Sequence, residues 1–443
     1  MQKPNKSVSK QKGVALILMA FILVLAVTGY LLNSLNSAEV IKQRDEKTKV
    51  ALAEAKVALL GFAASQDFSN PGLCGTNCPR PGDLPCPDTN NDGFAELSCG
   101  NAAGTTGQAN RLGRLPWRNL GIPDLRDGYG ERLWYAVSSR YKSNTRYRPL
   151  NSDTIATITL RNSNGDIIYD ATNGNGLVAL IIAPGAALVR QDNIIQVRNG
   201  VNQNIASNYL DVGLGEDNQG FIDNGSDGFI AGQVKDATGK TIVNDSMLAI
   251  TRDEMNQVME ARVLAEVKNA LTAYYVAHLS FPIPANFNLA ICLGNADINA
   301  PDCSEGLLTH GRIPANPTAP WSPTSILRGS SSSNWFQLNK WREVIHYAVA
   351  PACVTGTVNC NGAGFLTLNN SIVLPENNKR LVLIATGASI GAQLRSNNVN
   401  KTTEMSYLEG ENLLPFPLLP LDDTYTRTLP LTSLINDRAI SLP

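Results

Sequence analysis

The feature that most constrains this chain is an uncharged apolar run close to the amino terminus, from Val14 to Leu32. Four lysines and no acidic residue precede it. A helix of about 20 apolar residues is long enough to cross the hydrocarbon core of a bilayer, and a basic flank stays on the cytoplasmic side. We therefore predict a basic leader over residues 1–13 and a transmembrane helix over residues 14–32, with everything beyond it exported.

The junction Lys12-Gly13-Val14-Ala15-Leu16 leads directly into the apolar run, and no proline occurs from residue 10 through residue 70. This start resembles the type IV pilin and type II secretion pseudopilin superfamily. The resemblance implies leader cleavage between Gly13 and Val14. Most members have Glu at the fifth mature position, where this chain has Leu18, a departure that resembles K-type minor pseudopilins and PilX-like minor pilins. An ordinary signal anchor and a secretory signal peptide are the alternative interpretations of the same run.

The resemblance also implies a function and a place in the cell. The chain would be a minor pilin or pseudopilin-like subunit of a type IV pilus or type II secretion filament, at the tip, acting in assembly initiation or in contact with substrate or surface. Its partners would be other pilin or pseudopilin subunits and inner-membrane assembly proteins. It would be a single-pass inner-membrane protein, with its carboxyl-terminal part in the periplasm or on an extracellular filament. The alternative is a membrane-anchored periplasmic or surface binding protein, an adhesin or a sensor, outside any filament.

An internal duplication organises the rest of the chain. Five short blocks recur in the same order and at similar offsets along the sequence. Two copies indicate a tandem pair of domains, because a solenoid needs at least three repeats. The matched blocks are Leu52–Leu59 with Leu264–Leu271, Gly113–Pro116 with Gly311–Pro314, Tyr135–Val137 with Tyr347–Val349, Ile182–Ala186 with Ile384–Ala388, and Tyr209–Asn218 with Tyr407–Asn412.

Each copy begins with a helical pattern and continues into short strands, so we predict an α+β fold. The amphipathic pattern extends the first helix to about Ser65, and Thr251 with Glu254 predicts a capping box at the start of the second. The two domains, residues 33–250 and 251–443, would each be a pilin-like helix plus an antiparallel sheet with disulfide-rich loops. The predicted strands are residues 133–137, 155–160, 178–183, 345–349 and 381–385.

Eight cysteines, four in each half, all follow the apolar run: Cys74, Cys78, Cys86, Cys99, Cys292, Cys303, Cys353 and Cys360. Export makes disulfides the natural interpretation, with metal binding or free thiols as alternatives. We predict that no disulfide joins the two halves. Within the second half the sequence neighbours would pair, Cys292 with Cys303 and Cys353 with Cys360. The pairing within the first half stays open, although a Cys86–Cys99 bond would bracket the loop described next.

One loop has the spacing of calcium ligands. Asp88, Asn90, Asp92 and Glu96 stand at positions 1, 3, 5 and 9 around Gly93, as in the first half of an EF-hand loop. The acid expected at position 12 is absent, because that residue is Cys99. Calcium is therefore a candidate cofactor, and a bare Asx-rich turn is the alternative. The run from Asp223 to Gly228 is a weaker match.

Other chemistry finds little support in the sequence. No Gly-x-Ser-x-Gly, His-Glu-x-x-His or P-loop motif occurs, and the three histidines stand beside no nucleophile, so we expect no enzyme. A formal net charge of −1 and the lack of a basic stripe argue against a nucleic-acid partner. The Arg- and Asp-rich segment Pro116–Arg132 is either a binding surface or a loop folded onto its own domain.

Overall fold

In a computed structural model the described residues are 12–66, 79–101, 111–221, 228–293, 303, 308–329, 334–354, 360, 365–370, 373–413, 423–428, 431–432 and 434–443. The α-helices are α1 (Lys12–Ser65), α2 (Arg252–His278), α3 (Trp335–Leu338) and α4 (Asn398–Lys401). The strands are β1 (Leu112–Arg114), β2 (Trp134–Val137), β3 (Thr159–Arg161), β4 (Ile167–Tyr169), β5 (Leu177–Ala183), β6 (Val212–Gly213), β7 (Glu216–Asp217), β8 (Gly228–Ile230), β9 (Val234–Lys235), β10 (Thr241–Val243), β11 (Ser246–Thr251), β12 (His310–Arg312), β13 (Ile345–Val349), β14 (Leu366–Asn370), β15 (Glu376–Lys379), β16 (Leu381–Ala385), β17 (Thr424–Arg427) and β18 (Arg438–Leu442).

Each half contains a four-stranded antiparallel sheet with the same connectivity. The order is β1-β2-β5-β11 in the first half and β12-β13-β16-β18 in the second. The central strands β5, β13 and β16 are buried at every residue, which is why they read as continuous apolar runs rather than alternating ones. Helix α1 packs on β5 and β11, and α2 packs on β16 and β18. The repeated blocks that begin at Gly113, Tyr135 and Ile182, and their second-half counterparts, lie in matching strands of the two sheets.

Each half also carries a three-stranded sheet with one parallel pairing. β3 pairs antiparallel with β4 and parallel with β8, and β14 pairs in the same two ways with β15 and β17. The prediction of purely antiparallel sheets is therefore wrong in this respect. The local signal is weak, since β3, β4 and β8 have three residues each. The fold is a mixed α/β arrangement of several sheets.

The predicted transmembrane helix is wrong. Helix α1 runs from Lys12 to Ser65, but among the described residues no helix is long and apolar enough to cross a membrane. From Glu39 onward the helix is rich in charge. The predictions of a membrane span over residues 14–32 and of a single-pass inner-membrane protein are therefore wrong.

The two halves share one hydrophobic core. Leu59 of α1 and Leu264 of α2 are both buried in it, together with Tyr135 and Tyr347 of the two four-stranded sheets. Strand β11 completes the first sheet and ends at Thr251, which also caps α2. The predicted capping box is confirmed, because Thr251 accepts a hydrogen bond from the Glu254 amide and the Glu254 side chain reaches back to the Thr251 amide. No linker separates the halves, and the proposed boundary between residues 250 and 251 remains a prediction.

Candidate functional site

The predicted disulfides are present in the described part of the chain. Cys292 is bonded to Cys303 and Cys353 to Cys360, as predicted, and Cys86 is bonded to Cys99. None of the three bonds joins one half to the other. Cys74 and Cys78 lie outside the described residues. The leader junction, Gly13 and Val14, forms part of the first turn of α1.

The candidate calcium loop is held by its own backbone. The Asp88 carboxylate accepts hydrogen bonds from the amides of Asn91 and Gly93, at 2.5 and 2.7 Å. Asn90 and Asp92 each cap an amide two residues ahead, and Glu96 accepts from the amide and hydroxyl of Thr89. The described residues contain no group of three or more acidic, His or Cys side chains that could hold a metal ion. Of the weaker match, residues 223–227 lie outside the described part.

The segment Pro116–Arg132 is folded onto its own half. The Asp124 carboxylate pairs with Arg126 at 2.7 Å and with Arg132 at 2.9 Å. Asp127 is fully buried and accepts hydrogen bonds from the amides of Tyr129 and Glu131. The Arg and Asp residues that suggested a binding surface therefore serve internal contacts in this loop.

Each half contains a polar side-chain network built around a fully buried aspartate, Asp245 or Asp437. In the Arg198 network (Arg198, Gln196, Asp211, Asn218 and Asp245), the arginine donates to the Gln196 side-chain oxygen at 2.9 Å. The Gln196 amide donates to Asp211 at 2.8 Å. The Asp211 backbone amide and the Asn218 side chain both donate to Oδ2 of Asp245, at 2.9 and 2.7 Å.

The Arg395 network (Arg395, Gln393, Glu409, Asn412 and Asp437) repeats these contacts one for one. Arg395 donates to Gln393 at 3.0 Å, and Gln393 donates to Glu409 at 2.5 Å. The Glu409 backbone amide and the Asn412 side chain both donate to Oδ2 of Asp437, at 3.1 Å each. The duplication therefore extends to individual hydrogen bonds.

Each network contains a pair of neighbouring carboxyl groups, Asp211 with Asp245 and Glu409 with Asp437. Asp245 and Asp437 are fully buried, and their Oδ1 atoms receive no hydrogen bond from the described residues. Burial, followed by the charge of the neighbouring Asp211 or Glu409, raises the pKa of Asp245 and of Asp437 well above the usual range. Burial also raises the pKa of Asp211, to about 6. Two carboxylates enclosed together cannot both ionise, so we assign a protonated carboxyl group to Asp245 and Asp437.

An acidic residue from an adjacent loop completes each network, but the two loops differ in origin. Glu131 lies 3.6 Å from Arg198 within the first half. Arg395, in the second half, instead pairs with Asp153 of the first half, at 2.8 Å. The loop that closes the second network is therefore contributed by the other half.

The two helices show the same difference, because a first-half segment also contacts the second-half helix α2. The Gly128 amide donates to Thr48 of α1 at 2.9 Å, whereas the Ser152 hydroxyl donates to Glu260 of α2 at 2.8 Å. Thr48 and Glu260 occupy the same helical position, since each stands four positions before the first leucine of its matched block, Leu52 or Leu264. A first-half segment, residues 151–153, thus lies on α2 as residues 127–129 lie on α1.

Further polar contacts strengthen this junction. Asn339 of the second half accepts hydrogen bonds from Arg80 at 2.6 Å and from the Leu150 amide at 2.9 Å. Its carbonyl oxygen accepts one from the Asn151 side chain at 2.9 Å. Buried Asp83 pairs with Arg80 at 2.9 Å. The two halves of the chain are therefore joined by a polar interface.

Sequence reasoning found only part of the networks. The matched blocks include Asp211 and Glu409, but Arg198, Arg395, Asp245 and Asp437 were missed. A usable signal existed: the dipeptide Asn-Asp occurs at residues 244–245 and again at residues 436–437, directly before the last strand of each four-stranded sheet. Nothing in the sequence indicates that Asp153 would pair with Arg395, because the first half has Glu131 in that role.

Replacing Asp437 tests its protonation. Asp437→Asn is neutral like a protonated carboxyl group and keeps an acceptor oxygen for the Glu409 amide and the Asn412 side chain, so the free energy of unfolding should fall by less than about 1 kcal/mol. Asp437→Ala leaves the Glu409 amide and the Asn412 side chain without an acceptor and should cost about 3 kcal/mol. Urea unfolding at neutral pH measures both. A cost for the Asn variant as large as for the Ala variant would contradict a protonated Asp437.

Glu260 should make stability fall as pH rises. It is 1% exposed, and burial raises its pKa to about 8. An acid whose pKa is higher in the folded state stabilises the fold below its unfolded pKa, and this stability is lost as pH rises towards the folded pKa. Between pH about 5 and 8 the wild type should therefore lose more stability than Glu260→Gln, which cannot ionise. Urea unfolding across this range measures the difference. Parallel pH profiles would contradict the raised pKa of Glu260.

Comparison with known proteins gives no relative from which a function could be transferred. No family model, no curated protein and no solved structure matches the chain.

Proposed function

We propose that this protein is a subunit of a filament of the pilin or pseudopilin class, present in few copies at the filament tip. The observation that carries the proposal is the exposed apolar part of α1. Over residues 19–28 every side chain is exposed, with Met19 at 76% and Phe21 and Leu23 at 65% each. Single-chain proteins rarely leave so much contiguous apolar surface uncovered.

This apolar surface surrounds the helix instead of forming one stripe. Phe21, Ile22, Leu23, Val24 and Leu25 are consecutive and all more than half exposed, so together they cover a full helical turn of about 3.6 residues. A helix that is apolar on all sides requires burial on all sides. Several helices from neighbouring subunits would supply that cover, as in a filament built around a bundle of helices.

The position at the tip is supported by two features of the chain. Leu18 stands where most pilins have Glu, as in K-type minor pseudopilins. This resemblance implies a subunit that has no other subunit above it in the filament. The two joined halves also form a large domain attached to a single helix, which suits a subunit at the tip better than one repeated along the shaft. Processing between Gly13 and Val14 belongs to the same proposal.

Filament incorporation can be tested on the apolar helix. In Phe21→Asp a charge replaces an exposed ring, and burying an unpaired charge between helices is costly, so the variant should no longer enter filaments. Gln43→Asp introduces the same charge on an exposed, already polar part of α1 and should behave as the wild type. Immunogold labelling of an epitope-tagged chain in its native host is the measurement.

The labelling pattern decides between outcomes. Gold at filament ends for the wild type and Gln43→Asp, and none for Phe21→Asp, would support the proposal. Gold along the whole shaft would contradict the tip position. Equal labelling of the Phe21→Asp variant would contradict burial of the apolar helix in the filament.

A further inference from the structure

The loop that follows β2, residues 138–150, contains four basic residues and no acidic one. Part of its charge is bound to a single aspartate of the preceding segment. Asp83 is fully buried and accepts from Nε of Arg80 at 2.9 Å and from Nε of Arg146 at 2.6 Å. One carboxylate therefore serves two guanidinium groups, and their combined charge is only half compensated.

Two more arginines of the loop lie against this group. Arg140 stacks on the ring of Tyr147, with its guanidinium carbon 5.0 Å from the ring centroid, and the Tyr147 carbonyl oxygen accepts a hydrogen bond from Arg80. Arg148 lies near Arg146, because burial and then the like charge of Arg146 lower the pKa of Arg148. These four residues form what we call the arginine cluster: Arg80, Arg140, Arg146 and Arg148.

The arginine cluster has a surplus of positive charge. Its four guanidinium groups face the single negative charge of Asp83, and among the described residues Arg140 and Arg148 form no ion pair. Asp253 also acts on this loop, but the adjacent Arg252 offsets its charge. Arg140 and Arg148 are both partly exposed. A partner can therefore reach the part of the cluster that the chain leaves uncompensated.

The second half shows that the fold does not require this charge. The matching loop follows β13, and the two loops correspond because Lys142 and Val354 each form an isolated parallel bridge to the segment after the preceding helix. Residues 350–364 contain no charged side chain, and a disulfide closes this loop instead. Because like charges held together destabilise a compact state, their presence in one half only points to a role in binding.

The cluster lies at the end of α1 that is opposite to its apolar part. The Gly82 amide donates to the Ala63 carbonyl oxygen at 3.1 Å, so residues 80–83 lie beside the last turn of α1. From residue 28 to residue 63 the helix is about 52 Å long, at 1.5 Å per residue. Subunits that cover the apolar part would therefore not reach the cluster.

We propose that the arginine cluster binds an acidic segment of a partner protein in which two or more carboxylates lie close together. Asp83 shows the same contact within the chain, since its carboxylate lies between two guanidinium groups at 2.9 and 2.6 Å. The planar fork of a guanidinium group matches the two oxygens of a carboxylate. Arg140 and Arg148 take the carboxylates of the partner.

A nucleic acid fits this surface less well than an acidic protein segment. Sites for single strands combine a positively charged groove along several nucleotides with aromatic rings on which the bases stack. In this loop Tyr141 is buried, and Arg140 covers the ring of Tyr147. The acidic partner does not require that the chain assembles into a filament, so the two proposals can fail separately.

The probe is a fluorescein-labelled hexaglutamate peptide, titrated with the full chain at low salt and followed by fluorescence anisotropy. Its matched control, hexaglutamine, has nearly the same shape without the charge and should bind about tenfold more weakly. The affinity for hexaglutamate should also fall as salt is added, because salt screens exposed charges. Equal binding of the two peptides, or tighter binding of a hexathymidylate than of hexaglutamate, would overturn the assignment to an acidic protein segment.

Charge-matched double variants locate the binding site. Arg140→Gln with Arg148→Gln should lower the affinity for hexaglutamate about tenfold, because each exposed ion pair contributes up to about fivefold. Arg126→Gln with Arg190→Gln removes the same charge from two exposed arginines that have their own aspartate partners, and it should leave the affinity unchanged.

Circular dichroism checks that both double variants are folded. If the first is unfolded, Arg148→Gln alone replaces it, with an expected loss of about threefold. Unchanged affinity in the folded cluster variant, or an equal loss in the control variant, would overturn the proposal.

Discussion

The arrangement of each half depends on one buried arginine and the carboxyl pair behind it. A guanidinium group has five donors in a rigid fork, and Arg395 uses this fork to hold the carbonyl oxygens of Thr386, Gly387, Ser406 and Tyr407 together. Arg198 has the same role in the first half. Loops without regular structure are thereby fixed to the edge of a sheet. Because the arginine is charged and lies in the interior, it needs an acidic partner. The two halves differ in where that partner comes from.

In the first half the partner is local, and in the second it comes from the other half. Glu131 approaches Arg198 from the Pro116–Arg132 segment, whereas Asp153 crosses to Arg395 and brings Ser152 onto Glu260. This exchange explains why a duplicated chain has one shared core and no linker. This exchange of contacts thus joins the two halves.

The sequence predicted what local pattern determines and missed what tertiary contact determines. The end of α1 at Ser65, the capping box at Thr251, the strands β13 and β16 and two disulfides follow from periodicity, capping chemistry and cysteine spacing. The parallel pairings of β3 and β14 involve partners far apart in the chain and leave no local signal. The transmembrane prediction failed because it weighed the apolar run of residues 14–32 alone, whereas α1 continues into a charge-rich segment from Glu39 onward. The pairing of Asp153 with Arg395 could not be foreseen, since the duplication suggests the local solution of the first half.

The proposed function requires that the mature chain keeps the apolar part of α1 and that neighbouring subunits cover it. Mass spectrometry of the amino terminus of the native protein tests this most directly. We predict that the mature chain begins at Val14, with the basic leader removed after Gly13, and that Gly13→Val prevents the cleavage. A mature protein that retains the leader, or one that begins beyond Leu32 and so lacks the apolar helix, would contradict the assignment to the pilin class.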